Sequence, residues 1–318
     1  MSTLTYHSEP IAVTSPTWQS AQVPTYTAGT DRFLRAAGHA ARSMPRVVHD
    51  ALVDFTDSAH QSGALLLRGL PIGELPPTPA TPTTPADKDS VSEFTLLTVA
   101  RRLGQPVGYG PEHGGDLVQN IVPTEAALDR QVSTSSKVQL MFHTEAAFHP
   151  YRPRYLLLLC LRGDPSAHTT LSSIFEVLPQ LPSDVVDVLF QPRFRTAIDE
   201  SYLGGRSNVL GDPMAVLTGD RHRPTMVFDA DLMVGVDEQA DEAICALGEA
   251  TAACHTAVAL EAGDLLVVDN AVAVHGRSPF TARFDGADRW LQRSFVVTDL
   301  LPSAADRRGR VITTRFGN

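Results

Sequence analysis

The sequence predicts one mostly β domain, a barrel or jelly roll with helical additions gathered mainly in its first third. Beyond residue 105, short apolar segments alternate with turn-forming Gly, Pro and Asp residues, a pattern typical of strands. Segments with helical spacing of apolar residues are fewer. At 318 residues and 43% hydrophobic content, the chain can bury a large core.

The N-terminal third predicts an arm, three helices and one strand. Residues 1–30 are rich in Thr, Ser and Pro and lack periodicity, which indicates an extended or poorly ordered arm. Apolar residues recur at helical spacing from 31 to 59 with an interruption near Pro45, which predicts two helices. A short apolar run between two glycines, 63–69, predicts a buried strand, and residues 95–103 predict a helix.

Residues 71–89 contain six prolines among Thr and Ala, a composition that excludes a helix or a central strand. The segment could be a linker between domains. A long surface loop is favoured, because the segments on either side offer no separate core. We therefore expect a single domain over residues 31–318.

The remaining elements follow from apolar runs and Ala- and Glu-rich stretches. We predict strands at 117–122, 155–161, 265–269 and 294–298, and helices near 183–190 and 237–253.

Composition narrows the classes of function. A formal charge of −10 argues against nucleic acid and anionic membranes as partners. Three cysteines without CxxC spacing make a disulfide framework improbable and suit a reducing cytoplasm. The N-terminus lacks a basic segment followed by an apolar one, and no apolar run reaches the roughly 20 residues that span a bilayer. We expect a cytoplasmic protein that is neither exported nor membrane-bound.

His143 and Glu145 are candidate metal ligands. In extended backbone, positions i and i+2 point to the same face, so both side chains could reach one ion. Two His and one carboxylate leave three positions on Fe(II) free for a bidentate co-substrate and O2. His275, which follows the strand 265–269, is the best candidate for the third ligand.

The HxE triplet is a weak signal by itself. A second copy, His7 to Glu9, lies in the predicted arm, and such a pair is more often a surface pair than a metal site. The segment after His275 adds weight, because it carries Arg289 and Arg293 at i and i+4. An arginine fork binds a carboxylate through two hydrogen bonds, although surface ion pairs with Asp285 or Asp288 would explain these residues equally well.

Taken together, the motifs resemble the clavaminate synthase-like branch of the Fe(II)/2-oxoglutarate-dependent oxygenases. The resemblance covers about residues 63–299 and includes Phe142-His-Thr-Glu-Ala-Ala-Phe-His149, Val268-Asp-Asn270 and His275-Gly-Arg277. It implies a distorted jelly roll (double-stranded β-helix) with iron on His143, Glu145 and His275. It also implies that Arg293 grips 2-oxoglutarate with help from Thr170, and that Arg289 is an alternative partner.

The same resemblance implies an activity and a substrate class. The activity is hydroxylation driven by O2 and by the oxidative decarboxylation of 2-oxoglutarate, acting on a free L-amino acid in natural-product biosynthesis. Glu112 is expected at the substrate α-amino group, and Thr134 is a further substrate contact. Asp229 and Asp231 alternate with apolar residues and so face one side of an extended segment. Paired carboxylates favour a cationic side chain, arginine ahead of lysine, hydroxylated at C3 or C4.

Several alternatives remain. Citrulline or asparagine could be the substrate, or an amino acid tethered to a carrier protein. The enzyme could act as a desaturase or cyclase. From another class, the chain could be an inactive binding protein that retains the fold.

Overall fold

The computed structural model describes residues 11–12, 23–26, 31–57 and 61–316. In that part of the chain, three helices from the N-terminal third pack on a large sheet. The first helices are α1 (Asp31–Ala40) and α2 (Arg46–Asp57), joined by a 3-10 turn and Pro45, as predicted. A third, α3 (Val91–Leu103), is buried on nearly all sides and packs against α1.

The major sheet carries these helices on its outer face. Its strands are β1 (Ile11–Ala12), β2 (Ala64–Arg68), β3 (Gln105–Tyr109), β4 (Gln119–Ile121), β6 (Tyr155–Arg162), β13 (Leu265–Asp269), β15 (Trp290–Val297), β16 (Arg307–Arg308) and β17 (Val311–Ile312). The strand order is β1-β2-β13-β6-β15-β3-β17-β16, and β4 pairs with β15. Along β13, Leu265 and Val267 pack toward the helices, whereas Leu266 and Val268 pack toward the second sheet. Both faces are covered, which is why these strands are continuously apolar in sequence.

The minor sheet has the order β12-β7-β14-β5. Its strands are β5 (Leu140–His143), β7 (His168–Ser173), β12 (Thr256–Ala259) and β14 (Ala273–Arg277). Leu171, Val258 and Ala273 share one core with the inner face of the major sheet, so the two sheets face each other. Within the described residues they do not close into a barrel. The fold is the predicted jelly roll.

The chain between β7 and β12 covers the outer face of the minor sheet. It contains α4 (Ile174–Val177), α5 (Ser183–Leu189), β8 (Phe194–Thr196), α6 (Glu200–Leu203), β9 (Leu217–Gly219), β10 (Pro224–Met226), β11 (Met233–Gly235) and α7 (Glu238–Ala253). Val274 of β14 packs into this outer core, whereas its neighbour Ala273 belongs to the core between the sheets. This alternation turns His275 to the inner face.

The predicted arm lies largely outside the described residues. Its described part is held by the domain: β1 pairs in parallel with β2, and the Tyr26 backbone N–H donates to Ser90 Oγ at 2.8 Å. Residues 71–89 form neither helix nor strand. No helix in the described ranges is long and apolar enough to cross a membrane.

Candidate functional site

The three predicted metal ligands converge at the inner face of the minor sheet. β5 and β14 are antiparallel with His143 opposite His275, which places the two imidazole centroids 4.2 Å apart. Glu145 follows β5, and its Oε2 lies 3.7 Å from His275 Nε2. The ligand atoms of all three side chains lie within 4.8 Å of one another. Two imidazoles and one carboxylate on one side of a cavity can hold Fe(II) and leave positions free.

Hydrogen bonding and burial prepare both histidines for a metal. His143 Nδ1 lies 2.8 Å from the Met141 carbonyl, which leaves Nε2 for an ion. Burial lowers the pKa of His275 well below its usual range, and His143 and Arg293 lower it further. His275 is therefore neutral, the form that binds metals.

Asn270 fixes the backbone of Glu145. Its Oδ1 accepts from the Glu145 N–H at 2.7 Å, and its Nδ2 donates to the Glu145 carbonyl at 3.1 Å. The next residue, Ala146, has a φ of +52°, in the left-handed region that non-glycine residues rarely adopt. The Asn270 contacts and the His149 N–H, which donates to the Ala146 carbonyl at 2.8 Å, hold this turn.

Arg277 and Arg289 are buried cations beside the metal site. They are 3% and 6% exposed, and neither has a carboxylate within 4.0 Å among the described residues. Arg277 donates to the Ser135 and Val138 carbonyls, whereas the only hydrogen bond found for Arg289 in the described region goes to Thr169 Oγ1 at 3.3 Å. Burial lowers the pKa of both groups, and the nearby Arg289 helps to bring that of Arg277 to about 9. Asp164 acts on Arg289 only from a longer distance, so two buried positive charges with no carboxylate in contact among the described residues favour binding of a dianion.

Thr170 follows Thr169, the hydrogen-bond partner of Arg289, but it is not among the residues that line the cavity. Its Oγ1 is buried and has no hydrogen-bond partner among the described residues. The neighbouring strand carries Gly276, where a Cβ would lie 2.9 Å from this oxygen and 2.5 Å from the Leu140 carbonyl. A side chain at 276 would therefore crowd the hydroxyl.

Arg293 has a very different environment from Arg289. Its guanidinium bonds Glu112 and Gln119 and lies 3.4 Å from Glu145 Oε2. Its plane packs on the Phe295 ring with the guanidinium carbon 4.6 Å from the centroid. Burial opposes the charge of Arg293, but Glu112 and Glu145 outweigh that effect and raise its pKa.

Glu112 is the partner of Arg293 at the wall of the cavity. Its second carboxylate oxygen accepts from the Tyr202 hydroxyl at 2.9 Å. Burial raises the pKa of Glu112, and Arg293 opposes that rise. Glu112, with its side chain 13% exposed, and the buried Arg293 thus face the same space as the metal ligands.

The structure corrects the expectation of an extended segment at Asp229 and Asp231. Asp229 Oδ1 accepts the N–H groups of Asp231 and Leu232 at 3.0 and 2.9 Å, which bends residues 229–232 into a turn. Asp229 is buried beside His143, whereas Asp231 is exposed. Burial raises the pKa of Asp229. Both side chains still line one cavity, because the turn brings them to its edge.

One cavity of about 700 Å³ joins these groups. It is lined by the predicted residues Glu112, Thr134, His143, Glu145, Asp229, Asp231, His275, Arg289 and Arg293. A space of this size accommodates two small molecules beside a metal ion.

The Taurine catabolism dioxygenase TauD, TfdA family model matches residues 36–295. The chain belongs to this family of dioxygenases. It is 40% identical to the L-asparagine oxygenase of Streptomyces coelicolor over 91% of this chain and 87% of that protein. It is 38% identical to the L-lysine 3-hydroxylase of Catenulispora acidiphila over 89% of this chain and 81% of that protein.

Two similar solved structures contain iron together with succinate or alpha-ketoglutaric acid. Asparagine oxygenase in complex with Fe(II), 2S,3S-3-hydroxyasparagine and succinate superposes with a TM-score of 0.85 at 38% identity, covering 90% of this chain and 91% of that one. The non-heme iron oxygenase OrfP with Fe and alpha-ketoglutaric acid gives 0.81 at 33% identity, covering 91% and 92%. The protein is an Fe(II)/2-oxoglutarate-dependent oxygenase, and its His-Glu-His cluster and unpaired arginines fit both groups.

Sequence reasoning missed Gln119, Tyr202 and Arg277 as parts of the site. Gln119 and Tyr202 act on Arg293 and Glu112 from distant positions in the chain, and no spacing rule links them. Arg277 had a signal, since it lies two residues after His275 and so on the same side of the strand.

Proposed function

We propose that this oxygenase hydroxylates a free L-α-amino acid. The observation that carries the proposal is the buried Arg293–Glu112 pair beside the metal ligands. An α-amino acid presents a carboxylate and an ammonium on one carbon, and this pair offers the complementary charges. The amino-acid-acting relatives, an asparagine oxygenase and a lysine 3-hydroxylase, support the same substrate class.

The pair also favours a free substrate over a carrier-tethered one. An amino acid bound to a carrier as a thioester has no free carboxylate, so Arg293 would lose that partner while it stays buried. Glu112 and Gln119 would stay bonded to Arg293, but such a substrate would lack the hydrogen bonds that a free carboxylate forms with this guanidinium. We therefore rank a free amino acid first and an amino acid tethered to a carrier protein second.

For 2-oxoglutarate, the surroundings of the arginines favour Arg289 over Arg293. Most Arg293 donors are already bonded, whereas Arg289 has one long hydrogen bond within the described residues. Thr169, which bonds Arg289 and lines the cavity, supports a carboxylate here, whereas the expected contact Thr170 is not among the lining residues. Bound iron would supply O2 activation and chelate the keto acid, and this chain's residues would orient both substrates and exclude water.

For the substrate side chain, Asp229 and Asp231 favour a cation. Two carboxylates near one position repel each other, and a guanidinium or ammonium relieves that repulsion. We propose arginine ahead of lysine, at C3 or C4, with Thr134 as a further contact and with citrulline and asparagine as alternatives. We propose hydroxylation ahead of desaturation or cyclisation, in natural-product biosynthesis. The proposed compartment is the cytoplasm, whose reducing conditions suit the three free cysteines.

The test is amino-acid-dependent succinate formation from 2-oxoglutarate across the twenty amino acids and citrulline, with products identified by mass spectrometry. We expect arginine to give the highest kcat/KM. The Asp229→Asn, Asp231→Asn double variant should lower arginine turnover at least tenfold, whereas Glu242→Gln, an exposed position on α7, should not. Better turnover of asparagine, or an unaltered double variant, rejects the cationic substrate. No stimulation by any amino acid rejects the function.

A further inference from the structure

Phe316, near the C-terminus, packs against the wall of the cavity from behind. Its ring centroid is 5.1 Å from those of Phe148 and His149 and 6.3 Å from that of Tyr202. Its carbonyl accepts from Arg206 Nη1 at 2.9 Å. Tyr202 lies in α6 and Arg206 follows it. The C-terminal segment therefore contacts this helix at two points, through the Phe316 ring and through the Phe316 carbonyl.

Tyr202 connects this aromatic cluster to the charged pair. Its ring is 6% exposed and packs on Phe148 at 4.9 Å and Tyr109 at 6.0 Å. Its hydroxyl donates to Glu112 Oε2 at 2.9 Å, while Glu112 Oε1 bonds Arg293. One oxygen of the carboxylate is thus reserved for Tyr202.

This arrangement matters because Arg–carboxylate pairs tend to form two parallel hydrogen bonds. Without the Tyr202 hydroxyl, both Glu112 oxygens would be free to turn toward Arg293. A bidentate pair is stronger than a single hydrogen bond, and a substrate must open the pair to bind its ammonium to Glu112 and its carboxylate to Arg293. Tyr202 therefore keeps the pair easy to open.

We propose that Tyr202 is a positioning residue for amino-acid binding, and that Phe316 acts through it by seating its ring. The inference rests on the proposed function, because it concerns recognition of the α-amino and α-carboxylate groups. It assigns a role in the site to the C-terminal segment, which lies far from the metal ligands in sequence.

The test compares Tyr202→Phe, Phe316→Ala, Phe316→Leu and the Tyr202→Phe, Phe316→Ala double variant with wild type in the full chain. Arg308→Ala, at an exposed position of β16, is the control. The readouts are the amino-acid KM, the co-substrate KM measured with 2-oxoglutarate, the succinate formed without amino acid, and thermal unfolding. Tyr202→Phe keeps the ring, so any effect on substrate reports the hydroxyl alone.

We expect Tyr202→Phe to raise the amino-acid KM roughly ten- to hundredfold, the effect of one hydrogen bond to a charged group. The co-substrate KM should change less than twofold. Phe316→Ala should raise the amino-acid KM, Phe316→Leu should restore part of it, and the double variant should match Tyr202→Phe, because residues that act in series are not additive.

Three results with an active wild type would overturn the inference. An unaltered amino-acid KM in Tyr202→Phe removes the role of the hydroxyl, and an equal rise in both KM values shows a general structural effect. Additive single variants show that Phe316 does not act through Tyr202. If no amino acid stimulates wild type, the proposed function falls and this inference with it, whereas stimulated wild type with unaltered variants rejects this inference alone.

Discussion

Arg289 and Arg293 carry the same charge four residues apart, yet their surroundings differ. Arg293 contacts two carboxylates and an amide, whereas the one hydrogen-bond partner of Arg289 in the described part of the chain is a threonine hydroxyl. A carboxylate gains most from the guanidinium whose donors are unoccupied, because no existing hydrogen bond must be broken. The two arginines therefore suit different ligands.

We expect Arg289→Ala to raise the 2-oxoglutarate KM more than thirtyfold, since losing a buried charged contact costs about 2–5 kcal/mol. Arg293→Ala should act mainly on the amino-acid KM. Initial rates of succinate formation, with each substrate varied in turn, measure both effects. Arg289→Lys is the matched control, which keeps the charge and loses the planar fork. If Arg293→Ala raised the 2-oxoglutarate KM more than Arg289→Ala does, Arg293 would be the residue that binds 2-oxoglutarate.

Sequence reasoning could place both arginines near the site but could not rank them. Their spacing puts both on one side of a strand, whereas their partners come from elsewhere in the chain. Glu112 lies 181 residues from Arg293, and Gln119 lies 174 residues from it. Which donors are occupied depends on these long-range contacts, and a local pattern does not contain them.

At the scale of elements, the turn between β13 and β14 forms hydrogen bonds that fix the backbone just after β5. Asn270 opens that turn, and it bonds both backbone groups of Glu145 and the Pro153 carbonyl at 2.9 Å. Asn270 thus satisfies backbone groups at the end of a strand, a common role for this residue type. The bonded backbone belongs to a predicted iron ligand, so the contact orients that ligand.

Asn270→Ala should weaken Fe(II) binding by about ten- to hundredfold, the usual effect of losing a residue that orients a ligand. Anaerobic titration with Fe(II) in the presence of 2-oxoglutarate, followed by the visible charge-transfer band, measures it. Asn208→Ala is the control, because Asn208 lines the same cavity and bonds the Ile198 backbone in the same reciprocal way, but has no hydrogen bond to a predicted iron ligand among the described residues. Wild-type iron affinity in Asn270→Ala would contradict the role.

The strands of the minor sheet were harder to predict than those of the major sheet. β6 and β13 are apolar on both faces, and their positions agree with the prediction. β7 reads His-Thr-Thr-Leu-Ser-Ser and is buried along most of its length. Its polar residues border the site, so the apolar pattern that signals a strand is missing where function requires hydroxyl groups.

At the scale of the molecule, the proline-rich segment 71–89 is bound closely to the rest of the chain. Thr78 Oγ1 donates to the Asp288 carbonyl at 2.7 Å, and Arg162 donates to the Pro76 carbonyl at 3.2 Å. Near the end of the segment, the Lys88 side chain is 0% exposed and its Nζ lies 2.8 Å from Glu93 Oε2. These contacts support one domain over residues 31–318.

The Lys88–Glu93 pair tests that proposal. Ser92 Oγ accepts from Lys88 Nζ at 2.7 Å, and Gln292 of β15 donates to Glu93 Oε1 at 2.7 Å, so the pair joins the segment, α3 and the major sheet. Lys88→Met leaves a buried carboxylate unpaired and should lower the free energy of unfolding by about 3–5 kcal/mol. The Lys88→Met, Glu93→Leu double variant should lose less, because no charge is stranded.

Urea unfolding followed by fluorescence and by circular dichroism provides the measurement, with Asp87→Ala as the control at an exposed position of the same segment. If the segment belongs to one cooperative domain, Lys88→Met shifts a single transition that both probes report at the same midpoint. The control should stay within about 0.5 kcal/mol of wild type. A second, earlier transition in Lys88→Met, with the main midpoint unchanged, would mean that residues 71–89 unfold separately and that the pair does not stabilise the whole molecule.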